Sequence, residues 1–245
     1  MQRILSYTIF FVLLLSACQS TDNQQVISVE VDKLFTTLPT EYTGIDFENT
    51  LVYDKDFNIY TYRNFYNGGG VALGDVNNDG LVDVYFTANM QPNRLFLNEG
   101  DLKFKDVSAA AGIGGDKGWS TGVSMVDINA DGWLDIYVCN SGDRAGDNKA
   151  NELYINNQNG TFSERAAEFG IADEGLSTHG VFFDYDRDGD LDLYLLNNSF
   201  KAIGSFNLRK NERPKRDPIG GDKLYQNNGG QFTDVSEEAG IYGSV

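Results

Sequence analysis

The sequence predicts an all-β fold: a β-propeller of four-stranded blades, with three blades present and the ring incomplete. Three observations carry this expectation. A nine-residue acidic loop occurs three times, as DVNNDGLVD at 75–83, DINADGWLD at 127–135 and DYDRDGDLD at 184–192. The loops start at Asp75, Asp127 and Asp184, so they lie 52 and then 57 residues apart, and a period of this size marks a repeat architecture. Around each loop lie four short runs rich in β-branched, aromatic and other apolar residues, which is strand composition.

The chain opens with a different kind of segment. Arg3 precedes an apolar stretch from Ile4 to Leu15, too short for a membrane span of about 20 residues. Leu15-Ser16-Ala17-Cys18 then matches a bacterial lipobox. Residues 1–17 are expected to be a lipoprotein signal peptide and Cys18 the lipidated residue; the alternative is a plain secretory signal with an incidental Cys. Residues 18–40 would be the lipid-anchored tether and 41–245 the partial propeller.

The repeat units overlay strand by strand. The first run of each is GGVALGD, GVSMVD or GVFFD, and the second, after the loop, is VDVYFT, LDIYVCN or LDLYLLN. The third starts at Asn93, Asn151 and Asp222, and the fourth reads KFKDVS, TFSERA or QFTDVS. Asn/Gly-rich segments between the third and fourth runs suit hairpin turns. Each unit closes on a small-residue turn at Ile113, Ile171 or Ile241. DIYVCN and DLYLLN are continuously apolar, so those strands are expected to be covered on both faces, as in stacked blades.

The acidic loops are calcium candidates. Each places oxygen-bearing side chains at positions one, three, five and nine, with Gly at six. Ca²⁺ takes six to eight oxygen ligands, and alternate residues of a tight loop can aim oxygens at one centre. The expected ligands of the first loop are the side chains of Asp75, Asn77, Asp79 and Asp83 with the carbonyl of Leu81. Those of the second are Asp127, Asn129, Asp131 and Asp135 with the carbonyl of Trp133. Those of the third are Asp184, Asp186, Asp188 and Asp192 with the carbonyl of Asp190. With one more carboxylate, the third loop is expected to bind tightest. Mg²⁺ suits the pattern less, because it demands near-octahedral geometry and keeps its waters. A simple Asp/Asn/Gly surface turn is the bland alternative, and three copies in register weigh against it. An EF-hand is excluded, since it needs Glu at position twelve, where this chain has Phe86, Val138 and Leu195.

At this point the units resemble the FG-GAP or VCBS repeats of integrin α-subunit propellers. TGIDFENTL from Thr43, YRNFYNGGGVALGDVNNDGLVDVYF from Tyr62, and the endings DVSAAAGI and DVSEEAGI are more similar to bacterial relatives of the cartilage acidic protein family. The resemblance covers about residue 41 to the end. It implies a seven-bladed propeller with Ca²⁺ near one face. Three blades cannot close a ring, so the chain is expected to be the N-terminal part of a longer protein, or to assemble with partner chains.

Composition sets further bounds. The chain holds 19 Lys+Arg against 36 Asp+Glu, a net charge of −17. Nucleic acid and anionic lipid are therefore not expected as direct partners. His179 is the single histidine and its repeat counterpart is Gly122, so a structural role is expected rather than a catalytic one. Cys139, alone in an apolar strand, reads as a small buried hydrophobe. GGGVALG leads into a strand, so it fails the context of a dinucleotide fingerprint. Arg209, Lys210, Arg213, Lys215 and Arg216 form the dense basic patch of an insertion in the third unit, read as a solvated arm or as a contact loop for an anionic partner.

The expected function is a calcium-binding, lipid-anchored recognition module of the bacterial cell envelope, at the outer membrane or cell surface. Its partners would be an extracellular or envelope protein or a glycan, through adhesion or docking. Calcium would be structural and the chain not an enzyme. The alternative is the non-catalytic part of a larger polysaccharide-processing or other envelope enzyme.

Overall fold

In the computed structural model, which describes residues 34–115, 117–142, 149–198, 216–217 and 219–241, the apolar runs become strands. The first unit holds β1 (Val71–Gly74), β2 (Asp83–Phe86), β3 (Arg94–Asn98) and β4 (Phe104–Asp106). The second holds β5 (Ser120–Val126), β6 (Asp135–Asn140), β7 (Glu152–Asn156) and β8 (Phe162–Glu164). The third holds β9 (Leu176–Phe183), β10 (Asp192–Asn198), β11 (Lys223–Asn227) and β12 (Phe232–Asp234). Each unit is one four-stranded sheet with its strands in sequential order, and every pairing is antiparallel. Among the described residues the fold is all-β, with few and short helices.

The sheets pack face to face through alternating side chains. Ile136 and Val138 of β6 join Ala72, Tyr85 and Leu95 in a core between the first and second sheets. Tyr137 and Cys139, on the opposite face of β6, join Leu193, Leu195 and Tyr225 in a core between the second and third. All six residues of β6 and all five of β7 are buried. That is the physical reason for the unbroken apolar run: a strand buried on both faces has no solvent side to make polar.

Close approach is enforced at one glycine. A Cβ on Gly122 would lie 2.3 Å from the Thr178 carbonyl oxygen and 2.6 Å from His179 Nδ1. Only hydrogen lets β5 and β9 meet there. A repeated tyrosine latch ties the ends of the first two units to their own second strands. Tyr85 donates its hydroxyl hydrogen to the Ile113 carbonyl at 2.9 Å, and Tyr137 does the same to Ile171 at 3.0 Å.

Two features depart from the sequence reading. The segments ahead of Ile113 and Ile171 are single helical turns, α2 (Ser108–Ala111) and α3 (Ala166–Phe169), beside the short α1 (Thr40–Thr43) upstream. Such turns are not stable alone; burial of Ala111, Ala166 and Phe169 holds them. The second feature is a separate aromatic cluster. Phe57, Phe65 and Trp119 are buried together, with Tyr62 packed against them and ring centroids 5.0–5.5 Å apart. The segment carrying Phe57 and Phe65 lacks strand periodicity, so its burial is a tertiary event.

Candidate metal-binding loops

Each acidic loop connects the first two strands of its sheet. Its ends are pinned by cross-strand pairs, Gly74 with Asp83, Val126 with Asp135, and Phe183 with Asp192. Between those pairs the chain curls through two left-handed residues. One is the Gly at position six, with φ of 86°, 85° and 99° at Gly80, Gly132 and Gly189. The other is position four, with φ of 57°, 56° and 67° at Asn78, Ala130 and Arg187. The sequence reading identified only the glycine. A left-handed non-Gly residue costs about 1–2 kcal/mol, so the side-chain bonds around it must offset that cost.

In the first loop they do so through the acids and Asn77. Asp75 accepts hydrogen bonds from the Asp79 N–H at 3.1 Å and the Gly80 N–H at 2.8 Å. Asn77 Oδ1 accepts from Asp79 N–H at 3.0 Å, and Asp79 Oδ1 from Leu81 N–H at 2.8 Å. The second loop repeats the pattern. Asp127 accepts from Asp131 and Gly132 at 3.0 and 2.9 Å, Asn129 from Asp131 at 3.0 Å, and Asp131 from Trp133 at 2.9 Å. The loops also touch each other, as Asn78 Nδ2 donates to the Gly132 carbonyl at 3.1 Å.

Position nine behaves differently. Asp83, Asp135 and Asp192 are fully buried at 0% exposure, whereas positions one, three and five lie at the rim. Both oxygens of each buried carboxylate accept a backbone N–H. Asp83 takes Val76 at 3.0 Å and Asn98 at 2.8 Å. Asp135 takes Ile128 at 3.2 Å and Asn156 at 2.8 Å. Asp192 takes Tyr185 and Asn227, both at 2.8 Å. One carboxylate thus fastens loop position two to the end of the third strand. Each oxygen keeps a second lone pair, so this role is compatible with binding a cation.

The third loop is the most acidic centre. Oxygens of Asp184, Asp186 and Asp188 lie within 4.8 Å of one another, and Asp192 stands outside that group. Asp184 accepts from Arg187 N–H at 2.6 Å, and Asp188 from Asp190 N–H at 3.1 Å. Gln226 from β11 donates to Asp186 at 2.6 Å. Convergent hard oxygens of this kind suit Ca²⁺.

Electrostatics follow the burial. Burial pushes the Asp135 carboxyl up to about 6, against the two N–H bonds, with the charges of Asp131 and Asp127 adding to the rise. Asp83 is raised for the same reasons in the same order. For Asp188 the Asp190 N–H bond pulls downward, but slight desolvation, the side-chain hydrogen bond with Asp190 and the charges of Asp186 and Asp190 outweigh it, so its value is raised. A bound cation would favour the ionised form of all three.

Sequence reasoning missed the asparagines that complete these sites. Asn98, Asn156 and Asn227 close their third strands, give their N–H to the position-nine Asp, and donate Nδ2 to the Val82, Leu134 and Leu191 carbonyls at 3.0, 3.1 and 3.1 Å. The signal was present as a recurring Asn in LFLN, LYIN and LYQN.

The remaining candidates fall elsewhere. His179 sits exposed on β9. Ser177 is buried and accepts from Asn151 Nδ2 at 2.9 Å, a structural bond. Cys139 is buried and free, and burial pushes its thiol well up. Arg216 pairs with Asp234 of β12. Arg209, Lys210, Arg213 and Lys215, together with the signal segment and Cys18, lie outside the described residues. Among the described residues no helix is long and apolar enough to cross a membrane.

Comparison with known sequences agrees with this geometry. The FG-GAP-like repeat family matches residues 75–138 and 141–195, so the chain carries FG-GAP-like repeats. The chain is similar to cartilage acidic protein 1 of Xenopus tropicalis, 28% identical over 161 residues, covering 64% of this chain and 24% of that protein. It is 34% identical over 123 residues to the Mus musculus protein of that name, covering 50% of this chain and 17% of the relative. The Homo sapiens protein is 28% identical over 160 residues, covering 63% of this chain and 23% of the relative. The chain thus spans about a quarter or less of the length of these relatives. FG-GAP-like repeats suggest an adhesion or recognition module.

Proposed function

We propose that this protein is a calcium-stapled recognition module, displayed on a bacterial cell envelope through a lipid on Cys18. The observation that carries the calcium part is the repeated loop, in which rim oxygens are linked by a fully buried position-nine Asp to the sheet beneath. An ion bound at the rim then braces the connection between two strands. At a free Ca²⁺ concentration of about ten times Kd, each site contributes about 1.4 kcal/mol of stability. The ion's role is structural, and recognition of a protein or glycan falls to the surface that the sheets present. The chain is read as non-enzymatic because its acidic pairs belong to repeated loops.

The sheets are read as blades of a propeller that continues past the third. Val181, Phe183 and Leu196 on the outer face of the third sheet are 44%, 41% and 38% exposed. Their counterparts on the second sheet, Ser124, Val126 and Cys139, face the third sheet. A following sheet would bury this apolar face as the third buries that of the second.

The test is a calorimetric Ca²⁺ titration of the chain from Gln19, with thermal melting in Ca²⁺ and in EDTA. Saturable binding at about three sites, with a melting transition that rises with Ca²⁺, supports the reading. A folded chain that takes up no Ca²⁺ would overturn it. Mass spectrometry of the membrane-extracted protein checks the acyl modification of Cys18.

A further inference from the structure

The segment ahead of the first sheet has the form of a unit's end. α1 is a single helical turn closed by Gly44 with φ of 77° and followed by Ile45. α2 and α3 close in the same way, on Gly112 with φ of 75° and Gly170 with φ of 81°, followed by Ile113 and Ile171. Each turn also has the same seat, on the fourth strand of the sheet that comes next. A Cβ on Gly112 would lie 3.9 Å from the Phe162 carbonyl oxygen, and one on Gly170 2.8 Å from that of Phe232. A Cβ on Gly44 would strike the Phe104 carbonyl oxygen of β4. Gln231 of the third sheet donates to the Glu168 carbonyl of α3, and Tyr42 of α1 donates to the Asp101 carbonyl of the β3–β4 turn at 3.1 Å. Just past Ile171, Asp173 pairs with Lys223 at the head of β11; just past Ile45, Asp46 lies 3.8 Å from Arg94 at the head of β3. The first sheet thus carries a closing turn with no preceding sheet for it to close. Ile113 and Ile171 are fully buried in the cores between sheets, whereas Ile45 is half-buried. Strand alternation puts Val71 and Leu73 on the face of β1 opposite Ala72, and both are exposed. Their counterparts Val123 and Met125 pack into the core beneath the first sheet.

We infer that residues 39–46 are the closing turn of the propeller's last unit, carried at the opposite end of the chain, and that the outer face of the first sheet receives that unit's four-stranded sheet. The inference rests on the propeller reading above. The chemistry of the arriving sheet follows from the first two units. Tyr85 and Tyr137 stand two residues past the buried Asp83 and Asp135 and donate to the Ile113 and Ile171 carbonyls. A Tyr at the same place in the arriving sheet donates to the Ile45 carbonyl, and apolar side chains beside it cover Ile45, Val71 and Leu73. A second copy of the chain does not fit this seat. Its third sheet brings a closing turn of its own, in which the Ile241 N–H donates to the Ser236 carbonyl at 2.7 Å beside Gly240 with φ of 73°. That turn needs the place that α1 already fills. The occupant is therefore a sheet of the same repeat that stops at its fourth strand, and a closed ring supplies it from the same polypeptide.

The experiment uses the protein expressed from its complete native gene, with the photoreactive residue p-benzoylphenylalanine introduced at Leu73 on the first sheet or at Phe183 on the third. After irradiation, mass spectrometry of the peptides is expected to show Leu73 coupled, within one polypeptide, to a repeat unit beyond residue 245 that has no closing turn after its fourth strand. Coupling to a second copy or to another protein, or no coupling, overturns the inference. Coupling of Phe183 to the following unit then leaves the propeller reading standing, and coupling at neither position overturns both. Hydrogen exchange gives a readout that needs no substitution. The Gly44 N–H, which donates to the Thr40 carbonyl at 2.7 Å, is expected to exchange about tenfold or more slowly in the complete protein relative to the 19–245 chain. Equal rates in the two also overturn the inference.

Discussion

Removing the position-nine carboxylate of the second loop separates the structural work of these acids from their ion binding. Asp135 is fully buried, and its two oxygens accept the Ile128 and Asn156 N–H groups at 3.2 and 2.8 Å. In Asp135→Ala both donors lose their acceptor in a closed site. Each unsatisfied buried group costs about 1–3 kcal/mol, so the variant should lose about 2–6 kcal/mol even in EDTA. The carboxylate itself pays for burial, since its value rises to about 6, and removing it returns at most about 3 kcal/mol at neutral pH. At the midpoint of that loss, about 4 kcal/mol, the net expectation is a loss of at least about 1 kcal/mol. Asp127→Ala is the control. Asp127 lies at the rim and also accepts two N–H bonds, from the exposed residues Asp131 and Gly132, where water can replace it. Its loss should cost within about 0.5–1 kcal/mol in EDTA but abolish the Ca²⁺-dependent gain. Urea unfolding of both variants, with and without Ca²⁺, decides the matter. If Asp135→Ala in EDTA is no less stable than Asp127→Ala, the assignment of position nine as the clamp between loop and sheet is wrong.

Three further outcomes follow from the same geometry. Asp83 and Asp135 have folded values raised above the ordinary 3.8, so without Ca²⁺ their contribution is fully present below that pH and is lost as pH rises through each folded value, about 6 for Asp135. Melting in EDTA should therefore weaken between about pH 4 and 6 through Asp135, with Asp83 acting in the same direction, and Ca²⁺ should flatten the trend by favouring the ionised forms; a steeper fall in Ca²⁺ would contradict it. Gly122→Ala should destabilise by about 1–3 kcal/mol, because the new methyl meets the Thr178 carbonyl and has no room to relax; a neutral effect in urea unfolding would show that the second and third sheets are not held this closely. Tyr137→Phe removes the donor to the Ile171 carbonyl and the acceptor of Asn151 Nδ2 at 2.9 Å, and should cost about 1–3 kcal/mol. The same change at exposed Tyr60 should leave the unfolding midpoint unmoved.

The sequence by itself determined the repeat, the strand count of each unit and the acids of each loop. These are local patterns: alternate oxygens around a Gly, and apolar runs whose length and residue type suit a strand buried on both faces. It also fixed Cys139 as a buried hydrophobe. Only the tertiary structure decided which acids do which work. Positions one, five and nine all read as Asp, yet the first two stay at the rim while the ninth turns inward, because it begins a strand that another sheet covers. The sequence did not reveal the partners Asn98, Asn156 and Asn227, since their role depends on the register of the third strand against the second. Position four gave no warning either, for Asn, Ala and Arg share no propensity for a left-handed backbone; closure of the loop between paired strands imposes it. The aromatic cluster around Trp119 and the helical turns before Ile113 and Ile171 exist for the same reason. Short segments without periodicity take their form from the surface that buries them, and that surface exists only once the sheets have stacked.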